Sequence, residues 1–173
     1  MSYAGWRSRG YLPHCDGARL VQHIVFGLSD ALPARPAEPQ TAQQRFIWSE
    51  RELDKGHGSR ALAEPQNASV IEDCLLHDDG HSYSLVAWCV MPTHVHVIVE
   101  QHDGQRLEDI VQTWKSVTSH RINRAQNRTG ALWRREYFDR FMRTEEKFAT
   151  TVAYVENNPV KAGLVEKSED WRL

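Results

Sequence analysis

Two histidines two positions apart, His94 and His96 in the run Met91-Pro92-Thr93-His94-Val95-His96-Val97-Ile98-Val99-Glu100, carry the clearest chemical signal in the chain. The alternating valines mark the run as a strand. Side chains alternate across a strand, so both imidazoles point to one face while Val95, Val97 and Val99 point to the other. Neutral imidazole is a common metal ligand. Two such ligands make half of a metal site, and the remaining positions decide its chemistry. The plainer alternative is a strand with two polar residues on a solvated face.

The second chemical segment is Val152-Ala153-Tyr154-Val155-Glu156-Asn157-Asn158-Pro159-Val160-Lys161-Ala162-Gly163-Leu164-Val165. Thr144 suits an N-cap, Glu145 and Glu146 suit a first turn, and Pro159 disfavours helix just before it, so a helix is predicted from about Glu145 to Asn157. Its apolar stripe is Phe148, Val152 and Val155. Tyr154 falls roughly 120° from the centre of that stripe, on the side of Lys147, Thr151 and, if the turn continues, Asn158. Residues four apart are neighbours on a helix, so the phenol and the Asn158 amide face the same way. The alternative is a boundary tyrosine with its hydroxyl in water.

The ordered set of hydrophobic hairpin, His-x-His, amphipathic helix, Leu132-Trp133-Arg134-Arg135 and Tyr154-x3-Asn158-Pro159 resembles the single-tyrosine HUH transposases. The Asn-Pro-Val-Lys-Ala-Gly after the tyrosine is similar to their REP-associated branch in bacteria. The resemblance runs from Arg9-Gly10-Tyr11-Leu12-Pro13-His14 through Gly163. It implies a ferredoxin-like sheet carrying His94 and His96 beside a helix that presents Tyr154 as nucleophile. It also implies single-stranded DNA with hairpin or palindromic repeats as partner, cleaved to a 5′-phosphotyrosine link and a free 3′-hydroxyl. Related insertion-sequence enzymes more often have glutamine four residues after the tyrosine, and Asn158 is one methylene shorter. Asn158 is therefore either the third metal ligand or a helix C-cap. His14, in the opening motif, becomes a candidate DNA contact.

The residue types make chemical sense without the family. A phosphodiester repels nucleophiles because its oxygens are negative, and a divalent ion on a non-bridging oxygen offsets that charge and orients the phosphorus. His94, His96 and the Asn158 amide oxygen, with phosphate or water oxygens, would form a shell suited to magnesium or manganese. Tyrosine, with an ordinary pKa near 10, needs help to act as a nucleophile at neutral pH. The covalent phosphotyrosine would retain much of the energy of the broken bond, so a second DNA hydroxyl could rejoin strands. Two rival classes are a non-cleaving binder of the same repeats and a metallohydrolase that activates water with His94 and His96.

Composition sets looser bounds. At 173 residues the chain suits one domain, 1–173, with a proline-rich and helical insertion at about 30–70. Cys15, Cys74 and Cys89 form neither a disulfide framework nor a zinc ribbon. The absence of a long apolar run and of a signal-peptide core leads to the expectation of a cytoplasmic protein without membrane attachment, a monomer or a homodimer. The net charge is −2, yet between Lys115 and Lys147 nine Lys or Arg face four acids. Lys115, Arg121, Arg134, Arg135 and Arg140 in that stretch, with Trp114, Trp133, Tyr137 and Phe138 interleaved, are candidate contacts to phosphates and stacked bases. Lys161 is another. The alternative is a solvated charged face with core aromatics between.

The elements that must position these groups follow from periodicity. Leu20–Leu28 reads as a first strand, about Thr41–Lys55 and Ala68–His77 as helical pieces, and His81–Met91 as a central strand, with Tyr83, Leu85 and Ala87 on one face and Val86, Trp88 and Val90 on the other. After the histidine strand, Leu107, Ile110, Val111, Trp114, Val117 and Ile122 form a helical stripe over about Arg106–Arg124, and Tyr137–Arg143 reads as a last strand. The order βαββαβα predicts an α+β, ferredoxin-like sandwich: a central antiparallel sheet with helices on one face and the other face open. Glu100, on the histidine side of its strand, is a candidate outer partner for an imidazole N–H.

Overall fold

The computed structural model describes residues 5–8, 13–17, 19–33 and 41–171. The opening motif at 9–12 and the proline-rich connection at 34–39 lie outside the described residues. Two short strands, β1 (Gly5–Ser8) and β2 (Pro13–Asp16), pair as an antiparallel hairpin. The main sheet has four strands, β3 (Val21–Gly27), β4 (Tyr83–Val90), β5 (His94–Gln101) and β6 (Phe138–Phe141), in the spatial order β4-β5-β3-β6 with every pairing antiparallel. That order, with the crossovers between β3 and β4 and between β5 and β6 both helical, is the ferredoxin-like arrangement expected from the sequence.

Two helices close the apolar face of this sheet. Ile24 and Phe26 of β3 stand beside Val97 and Val95 of β5, and Leu85 and Trp88 of β4 complete the surface. On it lie α2 (Pro65–His77) and α3 (Leu107–Ala125), through Ile71, Leu75, Ile110, Val111, Trp114 and Ile122. The centre is Trp114, only 1% exposed. Its ring stands edge-on to Tyr83 and stacks beside Phe26, and its Nε1–H donates to the Tyr83 hydroxyl at 3.0 Å. The Tyr83 hydroxyl donates in turn to the Leu75 carbonyl at 2.6 Å, so the two polar atoms in this packed layer satisfy each other and the α2 backbone. Trp114→Ala is expected to remove about 3–5 kcal/mol of stability, measured by urea unfolding; an unchanged midpoint would contradict the packing.

Alternation along β4 departs from the simple pattern. Its register to β5 shifts between Leu85 and Ala87, so Val86 is an extra, exposed residue of a bulge. Tyr83, Leu85, Trp88 and Val90 therefore share the apolar face, while Ala87 and Cys89 turn to the histidine face opposite Ile98 and His96. A period-two reading cannot register one inserted residue, and everything after it flips.

The histidine face is covered too, contrary to the open face expected. On one side α4 (Glu145–Glu156), through Val152 and Val155, and the chain just after the short α5 (Asn158–Lys161), through Ala162 and Leu164, pack against Ala87, Cys89, Met91 and Ile98. On the other side sits α1 (Ala42–Asp54), begun by a capping box between Thr41 and Gln44. Its Phe46 meets the edges of His23 and Phe138. Gly27 of β3 makes this close seat possible, because a Cβ there would come within 3.0 Å of Leu53 Cδ2. The turn after α1 is fixed by Gly58, at φ +93°, whose missing Cβ leaves room for the Asp30 backbone. The Asp30 carboxylate accepts from the Ser59 backbone N–H at 2.8 Å.

Candidate active site

β5 delivers both imidazoles to one point. His94 and His96 are each 1% exposed, and their Nε2 atoms lie 3.0 Å apart. Their outer nitrogens are fixed from behind. Thr93 Oγ1 is 2.9 Å from His94 Nδ1, and Nε2 of His23 on β3 is 3.0 Å from His96 Nδ1. Such partners orient a metal-binding imidazole and leave its inner lone pair free. The outer position thus belongs to Thr93 and His23, not to Glu100, which lies beyond Ile98 on the same face of the strand. All three imidazoles are held neutral by burial: His23 and His94 are pushed down to about 3, and His96 well below its ordinary 6.5.

α4 carries the tyrosine to the same point. Thr144 caps the helix by accepting from the Lys147 N–H at 3.2 Å, as the sequence predicted. The buried line runs through Thr151 and Val155, with Phe148 only half-buried, because the tyrosine side also faces the sheet. The Tyr154 ring stands edge-on to His96 with centroids 5.7 Å apart, and to His23 at 6.2 Å. Burial raises the phenol above its ordinary value of 10, and the carboxylates of Glu50 and Asp54 raise it further. The neighbouring Asn158 amide acts in the opposite sense, lowering it.

Asn158 is not the cap. The capping position falls to Asn157, whose backbone N–H returns to the Ala153 carbonyl, and Asn158 opens α5 with its side chain turned inward. It is 1% exposed, its Nδ2 lies 3.0 Å from His96 Nε2, and its Oδ1 has no hydrogen-bond partner among the described residues. One imidazole nitrogen cannot satisfy both His94 and Asn158 with a single proton or lone pair. Ligands at neighbouring corners of an octahedron with bonds of 2.0–2.1 Å are about 3 Å apart. The 3.0 Å spacings at His96 Nε2, and an orphaned amide oxygen that needs only a turn of the Asn158 amide to join them, fit a divalent ion with nitrogen and oxygen ligands.

The carboxylates above this cluster were missed by sequence reasoning. Glu50 and Asp54, one helical turn apart on α1, project into the site: one ligand atom each of Glu50, His23 and His96 lie within 4.8 Å of one another, and so do those of Asp54, His94 and His96. Burial, then the neighbouring Asp54, pushes Glu50 up to about 7. The available signal was the i, i+4 acidic pair on the apolar-faced helix of the insertion. Nothing in spacing alone says that this helix crosses the histidine face.

The basic candidates divide. Arg140 on β6 lies over the Phe46 ring, and together with Lys147 it adds to the depression of the His23 pKa. Lys161 holds Asp54 Oδ2 at 3.0 Å and sits 5.1 Å from the centre of the Tyr154 ring, at the rim of the site. Arg121 is on the opposite side of the sheet, paired with Asp73 of α2 at 3.3 Å. Lys115 donates to the Arg135 carbonyl at 2.8 Å, and Arg134 Nη1 to the Leu32 carbonyl at 3.4 Å. Exposed Arg135 lies beside Glu136. His14, the candidate DNA contact, is buried on β2, in hydrogen-bond contact with Asp139 and stacked on Tyr137 at 4.3 Å. Trp114, Trp133, Tyr137 and Phe138 are buried core, so they are not the base-stacking rings expected. Aromatics between charges on a half-buried element face inward because that is where apolar area gains most.

The structure is a ferredoxin-like α+β protein that gathers a His-x-His strand, a helix-borne tyrosine and an asparagine four residues later at one point. The chain belongs to the IS200-like transposase family, whose model matches residues 69–158, from α2 through Asn158. It is 25% identical over 103 residues to the putative REP-associated tyrosine transposase of Haemophilus influenzae, covering 54% of this chain and 58% of that one. It is also 25% identical over 89 residues to the REP-associated tyrosine transposase of Escherichia coli, covering 51% and 52%. The chain thus spans little more than half the length of these curated relatives. A solved structure of a REP-associated tyrosine transposase bound to a REP hairpin shares the fold, with a TM-score of 0.62 at 18% identity over 96% of this chain and 79% of that one. No helix among the described residues is long and apolar enough to cross a membrane.

Proposed function

We propose that this chain is a metal-dependent single-stranded DNA endonuclease and strand transferase that nicks and rejoins hairpin or palindromic repeats through a 5′-phosphotyrosine on Tyr154. One observation carries the reading: the Tyr154 ring, His94, His96 and Asn158 converge in a single buried cluster, with phenol and imidazole rings 5.7 Å apart at His96. The curated relatives and the hairpin-bound neighbour add support for the DNA substrate.

His94, His96 and Asn158 would hold magnesium or manganese. When bound, such an ion offsets charge on the non-bridging phosphate oxygens and orients the phosphorus. The chain's own residues do the rest. Tyr154 Oη attacks phosphorus, forming the O–P bond as the bond to the 3′-oxygen breaks, and the departing strand takes up a proton as a free 3′-hydroxyl. Glu50, whose carboxylate charge bears on the phenol, is the group that would take its proton. Arg140, Lys147 and Lys161 at the rim supply positive charge to the incoming backbone. Attack by a 3′-hydroxyl on the phosphotyrosine reverses the step and joins strands. His23 and Thr93 keep the imidazoles oriented throughout.

A second reading, a non-cleaving binder of the same repeats, is favoured by the seat of α1, which leaves His94, His96 and Asn158 each 1% exposed. Incubation with a single-stranded palindromic hairpin and Mn²⁺, followed by denaturing electrophoresis, separates the two. The transferase yields a covalent protein–DNA band that chelator suppresses. A binder yields retention under native conditions and no such band.

A further inference from the structure

We infer that Asp54, on the helix inserted between the first and second strands of the main sheet, is a carboxylate ligand of the divalent ion alongside His94 and His96. The inference rests on the metal-dependent reading above and adds a ligand from a segment outside the matched family region, 69–158.

Three observations bear on it. A ligand atom of Asp54 lies within 4.8 Å of one on each of His94 and His96, whereas Glu50 shares such a cluster with His96 and His23 only. The two oxygens of Asp54 differ: Oδ2 accepts from Lys161 Nζ at 3.0 Å, while Oδ1 is buried with no hydrogen-bond partner among the described residues. The Asn158 oxygen is in the same condition, although its side chain is fully enclosed. Two buried oxygens without donors, both on residues beside the same pair of imidazoles, describe an acceptor-only pocket.

Charge supplies the physical reason. Two neutral imidazoles and one neutral amide leave the full charge of a divalent cation uncompensated in a site shielded from water, and such burial is costly. One carboxylate offsets half of that charge and gives the hard oxygen donor that magnesium and manganese prefer. α1 is built to bring it there: Leu53 is wedged over Gly27 immediately before Asp54, and Lys161 holds the second oxygen in place. The insertion would then be a wall of the metal centre.

Mn²⁺ binding to the full, chelator-stripped chain, followed by calorimetry, tests this. Loss of an outer-shell partner alone weakens metal binding about 10–100-fold, so losing a direct ligand should cost at least tenfold. Asp54→Asn, which keeps shape and helix, should weaken Mn²⁺ by about tenfold or more, and His94→Ala should abolish binding. The absorption spectrum of bound Co²⁺ should also change between parent and Asp54→Asn, a readout of the ligand set. Asp54→Asn binding Mn²⁺ like the parent, with an unchanged Co²⁺ spectrum, while His94→Ala loses the metal, would overturn the inference and leave the metal-centre reading standing. Undiminished binding by His94→Ala would overturn both.

Discussion

Tyr154→Phe should eliminate the covalent protein–DNA adduct and strand cleavage while leaving hairpin binding within a few-fold of the parent. The substitution removes one oxygen and keeps the ring that packs against His96 and His23. Its structural cost is the loss of one half-buried hydroxyl and its polar surroundings, about 1 kcal/mol. Its chemical cost is the nucleophile itself, and removing a nucleophile from an assembled site lowers turnover on the order of 10⁴-fold or more. Gel-shift and cleavage assays on one hairpin substrate measure both quantities. Cleavage that persists in Tyr154→Phe would turn the account toward a metallohydrolase using His94 and His96 with activated water.

Acid should destabilise the metal-free protein steeply, because three imidazoles are buried neutral. His23 and His94 titrate near 3 in the folded chain and His96 also well below 6.5, so between 6.5 and 3 the unfolded chain binds protons that the folded chain refuses. Stability then rises with pH. It is fully present above about 6.5 and is lost progressively as pH falls from there through the folded-state values. Each imidazole contributes about 1.4 kcal/mol per pH unit. Glu50, raised to about 7, acts in the opposite sense, since its folded form takes up a proton before its unfolded form does. It is half-buried, so it offsets part of one histidine. The net slope is on the order of 3 kcal/mol per pH unit below about 6. Urea unfolding of chelator-treated protein at pH 7, 6 and 5.5 measures it. A flat profile would mean that the imidazoles are not enclosed as described.

Much of this site is legible in the sequence because it lies on regular elements. His94 and His96 share a face by strand alternation, and Tyr154 and Asn158 share one by helical spacing; the fold preserves both relations. The strand order follows from βαββαβ connectivity. Three features escaped for identifiable reasons. The Val86 bulge inserts one residue into β4 and reverses its faces beyond that point. Trp114, Trp133, Tyr137 and Phe138 lie among basic residues in the chain, but burial and not sequence neighbourhood decides where a ring points. The carboxylates of Glu50 and Asp54, together with His23, reach the site only because α1 crosses the histidine face. That is a tertiary contact with no local pattern to announce it.

The most direct test is to trap the covalent species on a single-stranded hairpin, digest both DNA and protein, and locate the nucleotide adduct by mass spectrometry. The expected product is a phosphotyrosyl nucleotide on the peptide containing Tyr154. An adduct on any other residue, or cleavage that leaves a free 5′-phosphate with no protein-linked product, would contradict it.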